Sequence, residues 1–66
     1  MSYITMILGS NCGACILTDG FNCAAGCSID NGTCFIAASS TDCETASGEY
    51  YDDCRNSSSV CCCLYA

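Results

Sequence analysis

Short apolar runs alternate with turn-forming residues along this chain, and each run is long enough for only a brief element. The first, Tyr3-Ile4-Thr5-Met6-Ile7-Leu8, mixes apolar and β-branched side chains and predicts a short strand or extended arm within residues 1–10. Gly9-Ser10-Asn11 breaks it. Between Cys12 and Cys34, turn signals at Asp19-Gly20 and Asn31-Gly32 leave room for one or two helical turns. Asn22 can cap a turn through Cys23-Ala24-Ala25-Gly26-Cys27, whose spacing puts both sulfurs on one face. Cys12 and Cys15 would share a face in the same way. Thr41-Asp42-Cys43-Glu44 fits a capping box, with Thr41 as N-cap, Glu44 reaching back, and both acids at the positive end of the helix dipole. Cys43, Ala46, Tyr50 and Cys54 then form one inward stripe, predicting a helix over 42–54 that Gly48 weakens by ~1 kcal/mol. Asn56-Ser57-Ser58-Ser59 reads as a loop, and Val60 to Tyr65 as a short apolar tail. The pattern predicts a small disulfide-rich fold: a bundle of short α-helices with irregular loops, in one domain spanning residues 1–66.

Composition explains how so small a chain could fold. Ordering 66 residues costs on the order of 100 kcal/mol, at roughly 1.5 kcal/mol each, which a small core seldom offsets. Ten residues are cysteine: Cys12, Cys15, Cys23, Cys27, Cys34, Cys43, Cys54, Cys61, Cys62 and Cys63. That is about 15 %, well above the ~8–10 % that marks a disulfide scaffold. A metal–thiolate cage is the competing reading. It would have no use for Ile16, Leu17, Phe21, Ile29, Phe35, Ile36, Tyr50, Tyr51, Val60, Leu64 and Tyr65, which should instead pack around a disulfide core, and histidine is absent. The even count suits five disulfides, together contributing roughly 10–20 kcal/mol, and an oxidising, extracellular compartment. Cys61-Cys62-Cys63 stands out, because neighbouring cysteines rarely bond to each other. Three sulfurs in a row must tie three parts of the chain to a buried hub. The pairing itself stays open, with ~945 combinations. Cys12-Gly13-Ala14-Cys15 resembles a dithiol redox motif, but the chain is too short for the strand–helix–strand frame such motifs use.

Charge narrows the function. Seven acids face a single base, Arg55, and there is no lysine. Nucleic-acid binding needs several cations to release counterions and is excluded; lysis of anionic membranes needs a basic face and is disfavoured. No apolar stretch approaches the ~20 residues of a membrane span. Residues 3–8 lack a basic flank and are shorter than a signal-peptide core, so they read as part of the mature chain. Glu44, Glu49, Asp52 and Asp53 lack the regular ligand spacing of a calcium loop and read as a solvated face. Without histidine or lysine, acid–base catalysis lacks its usual groups, and no cofactor or metal is expected. Asn31-Gly32-Thr33 and Asn56-Ser57-Ser58 match the glycosylation sequon.

The spacing Cys12-x2-Cys15-x7-Cys23-x3-Cys27-x6-Cys34, with an acidic, lysine-free composition rich in Gly, Asn, Asp and Ser, resembles the ten-cysteine mating pheromones of Euplotes-type ciliates over residues 11–55. The arm at 3–8 and the triple cysteine depart from that pattern. The resemblance implies a secreted, helix-dominated, disulfide-bonded signal that binds a cell-surface receptor protein and can associate with copies of itself. On the residues alone, the expected contact is the acidic face of the 42–54 helix, at Glu49, Tyr50, Tyr51 and Asp52, with the tyrosines as anchors. The alternative is a structural subunit of an extracellular filament or coat, in which the arm at 3–8 adds as a strand to a neighbour. A toxin or defence peptide is disfavoured by the missing basic face.

Overall fold

The structure, a computed structural model, describes residues 12–65; the arm expected within residues 1–10 lies outside them. After a single 3-10 turn at Cys12–Ala14 come α1 (Cys23–Ser28), β1 (Thr33–Ala37), α2 (Ser40–Thr45), β2 (Glu49–Asp53) and β3 (Val60–Leu64). The strands form an antiparallel sheet in the order β1-β3-β2. The expected helical bundle is therefore wrong: two short helices flank a three-stranded sheet.

Both helices begin and end on side-chain and glycine signals. Asn22 Oδ1 accepts from Ala25 N at 2.8 Å and caps α1, as its position predicts. The helix closes where Asn31 takes φ +61°, with Asn31 N donating to Ser28 O and Gly32 N to Cys27 O. α2 repeats this ending, with Ser47 at φ +66°, Ser47 N bonded to Glu44 O and Gly48 N to Cys43 O. Its cap is Ser39, whose Oγ accepts from Asp42 N at 3.2 Å, so the box expected on Thr41 gives way to a simple N-cap two residues earlier. The helix expected over 42–54 stops at Thr45 because Ser47 reverses the chain. Gly48 follows that reversal where a Cβ would sit 2.8 Å from the Phe35 ring, so glycine is required rather than merely tolerated. The freed segment Glu49–Asp53 pairs with β3 instead.

The apolar tail is the centre of the sheet, and its three cysteines explain the architecture. Successive side chains on a strand point to opposite faces. Cys61 and Cys63 accordingly bond to Cys23 and Cys27 of α1 on one face, while Cys62 bonds to Cys43 of α2 on the other. The α1 match is metric. Residues i and i+4 of a helix are about 6 Å apart along its axis, and i and i+2 of a strand about 7 Å, so two parallel bridges fit with little adjustment. Cys34 of β1 pairs with Cys12, and Cys54, just past β2, pairs with Cys15, pinning the N-terminal loop to both outer strands.

The interior is mostly sulfur. On the α1 face lie Cys12, Cys15, Cys23, Cys27, Cys54, Cys61 and Cys63 around Leu17; on the α2 face Cys43 and Cys62 pack with Phe35 and Val60. The sulfurs of Cys27 and Cys61, from adjacent bridges, are 3.9 Å apart. The close cysteine groups Cys12–Cys23–Cys34 and Cys23–Cys27–Cys61 are thus stacked disulfides, and all ten cysteines are paired. This corrects one expectation. Phe21, Ile29, Tyr50, Tyr51 and Tyr65 are not core residues but exposed, because half-cystines already fill both faces.

Replacing Cys43 and Cys62 together by alanine should remove only the α2 bridge and cost about 3 kcal/mol, from the loop it closes. Urea unfolding should show that loss while the α1 face remains native-like. Unchanged stability would mean that α2 is held by packing alone.

Candidate binding surface

An open groove of about 180 Å³ lies on the α1 side, lined by Asp19, Phe21, Ala25, Gly26, Ile29 and Tyr51. The turn Leu17–Gly20 positions its first wall: Gly20 N donates to Leu17 O, Gly20 takes φ +98°, and Asp19 Oδ1 accepts from Phe21 N. Phe21 is left 63 % exposed and Ile29, just past α1, 75 %. Single exposed apolar residues are ordinary, whereas these line one depression together.

Tyr51 joins this group through a β-bulge. Tyr50 pairs with Cys62 and Asp52 with Cys61, which leaves Tyr51 without a partner on β3. The extra residue re-aims its side chain, as bulges do. The ring lies over Gly26 of α1, where a Cβ would come within 2.8 Å of Tyr51 Cε2 and 3.0 Å of Leu17 Cδ1. Glycine at position 26 is what lets the ring lie down on the helix.

Asp52 fixes the bulge to the Leu17–Gly20 turn. Its Oδ2 accepts from Thr18 Oγ1 at 2.7 Å and Thr18 N at 3.1 Å, and its Oδ1 from Asp53 N at 2.8 Å. The Thr18 hydroxyl, above all, holds this carboxyl below its ordinary range; desolvation opposes it, and the backbone N–H groups of Thr18 and Asp53 add smaller lowering contributions. Tyr50 points to the α2 side, and its hydroxyl donates to Asp53 Oδ1 at 2.9 Å, which raises its pKa. Tyr65 stacks over Gly32, its pKa raised chiefly by desolvation and then by Asp30 and Glu49.

The four expected contact residues are therefore divided. Glu49, Tyr51 and Asp52 belong to the α1 side, and Tyr50 to the other. They sit on a strand, not on the helix expected there. Phe21 and Ile29, the most exposed large apolar side chains among the described residues, were expected in the core because the sequence offers no sign that cysteines take their place inside.

A second depression of about 280 Å³ is lined by Ala14, Cys15, Ile36, Cys54, Asn56, Ser57 and Ser59. It holds no charged side chain, and its Asn56 is already engaged. Asn56 Nδ2 donates to Ala14 O at 2.7 Å, Oδ1 accepts from Ile16 N at 3.1 Å, and Arg55 N donates to Ile16 O at 2.7 Å beside the Cys15–Cys54 bridge. It is a structural clamp. Among the described residues no helix is long and apolar enough to cross a membrane.

The chain matches no protein-family model, no curated protein and no solved structure. Five disulfides in 66 residues fit a secreted disulfide-rich protein.

Thr18→Val should move the Asp52 titration up toward the ordinary carboxylate range, as read by carboxyl-carbon NMR. The folded pKa is depressed, so the linked stabilisation is present above the unfolded chain's carboxylate pKa and is lost as pH falls through the folded value. An unmoved titration would remove Thr18 from the role. Asn56→Ala should destabilise by about 1–3 kcal/mol, for two hydrogen bonds lost, in the same urea assay.

Proposed function

We propose that this protein is a secreted ligand that acts by binding a receptor protein at the cell surface, and that the Phe21–Ile29–Tyr51 groove is the contact. The observation that carries this reading is a contiguous apolar group held outside a covalently closed scaffold. A rigid surface loses little entropy on binding, so its aromatic and aliphatic anchors are available for affinity. Of the groove's lining residues only Asp19 is charged, and there is no second titratable group beside it for acid–base work except the Tyr51 phenol.

The surrounding charge defines the partner's chemistry. Asp30 adjoins Ile29, Asp52 adjoins Tyr51, and the whole chain carries a net charge of −6. A basic surface with an apolar centre complements this face and would be steered toward it. A second copy of the chain would bring carboxylates against carboxylates, which opposes the self-association that the pheromone likeness implies. The helix-dominated fold that the same likeness implies is not the one observed, so the receptor reading stands on the groove. Strand addition, the route to a structural subunit, is opposed along β2, an edge strand with a bulge and three acids, Glu49, Asp52 and Asp53.

Labelled native protein should bind cells of the source saturably, and more weakly as salt is raised. Replacing Phe21 and Ile29 together by serine should lower affinity roughly ten-fold or more. Tyr50→Ala, on the opposite side of the sheet, should leave it unchanged. Equal binding by the double variant, or no saturable binding at all, overturns the reading.

A further inference from the structure

The two glycosylation sequons, indistinguishable in sequence, occupy different chemical situations in the fold. Both asparagines are exposed by area, so exposure alone does not separate them. Hydrogen bonding does. The side chain of Asn56 is committed at both ends to the backbone of residues 14–16. Its orientation is fixed by chemistry, because Ile16 N can only donate and Ala14 O can only accept. A sugar on Nδ2 would set a pyranose ring beside a carbonyl that lies 2.7 Å from that nitrogen. The clamp also closes the loop held by Cys15–Cys54, so a sugar there would leave Nδ2 one hydrogen and crowd this junction.

Asn31 presents the reverse case. Among the described residues it is the Asn31 backbone, and not its side chain, that makes hydrogen bonds: φ is +61°, and its N–H ends α1 on Ser28 O. Asparagine tolerates the left-handed region better than most residues, which accounts for its place there without engaging the amide. Thr33, the hydroxyl position of this sequon, is exposed at the start of edge strand β1. A glycan on Asn31 would project from the C-terminal end of α1 and disturb none of the bridges.

From this contrast we propose that Asn31 is an N-glycosylation site and that Asn56 is not. The donor is an oligosaccharide carried on a polyisoprenyl diphosphate. Nδ2 of Asn31 bonds to its anomeric carbon, the bond from that carbon to the diphosphate oxygen breaks, the diphosphate leaves with the electron pair, and the amide gives up one proton. The proposal requires passage through a glycosylating secretory compartment and does not depend on which receptor the groove meets.

The test uses the full chain secreted from a eukaryotic host, with intact mass measured before and after digestion by a peptide N-glycanase. Thr33→Ala and Ser58→Ala each destroy one sequon while keeping both asparagines, so the Asn56 clamp survives in both variants. The parent and Ser58→Ala should each lose one glycan mass on digestion, and Thr33→Ala should lose none. A Thr33→Ala protein that still carries a glycan, a Ser58→Ala protein secreted without one, or an unmodified parent overturns the assignment.

Discussion

The alternation of side chains along β3 is the constraint on which the rest of this molecule depends. Cys61, Cys62 and Cys63 lie on one short strand, and the pleat sends the outer two to one face and the middle one to the other. A helix with cysteines four apart meets the first pair, and a helix with a single cysteine meets the other. β3 has to be the central strand, since only there can both faces be covered and both edges paired. Three consecutive sulfurs thus act as a two-sided anchor, with each helix held by covalent bonds where a larger domain would use a layer of leucine and valine.

That substitution has a consequence at the surface. With half-cystines filling both faces, Leu17, Phe35 and Val60 are the only other buried apolar side chains among the described residues. Phe21, Ile29 and Tyr51 are displaced outward and gather over α1. Their arrangement is rigid because every part is tied down: the Leu17–Gly20 turn by Asp52 and Thr18, the ring of Tyr51 by the absent side chain at Gly26, and the bulge by its place against Cys61. The same covalent economy that makes a small core sufficient also leaves apolar area at the surface.

Some elements were readable from particular residues. Asn22 capped the helix it preceded, Asn31-Gly32 reversed the chain, and the triple cysteine served as a buried hub, because each depends on local stereochemistry or on a bond that only cysteine makes. The segment after Cys43 misled, and for a physical reason. Cys43, Ala46, Tyr50 and Cys54 fall at helical spacing, yet the sulfurs of Cys43 and Cys54 serve opposite faces of the sheet, toward Cys62 and Cys15. Helical periodicity there was a coincidence of two cysteines whose partners lie apart, Cys62 on β3 and Cys15 in the N-terminal loop. The stop was Ser47, in the left-handed region, and Gly48, counted as a mild weakness, leaves the room beside Phe35 that the reversal needs.

The amino-acid sequence by itself determined that the chain is stapled by sulfur, that it is acidic, and where the turns at Asp19-Gly20 and Asn31-Gly32 and the first helix cap fall, since these follow from residue type and near neighbours. Only the tertiary structure decided which cysteines pair, that Glu49–Asp53 is a strand, and which apolar residues remain outside. Those outcomes depend on contacts between segments some 20 to 40 residues apart, and local propensity carries no information about partners at that distance.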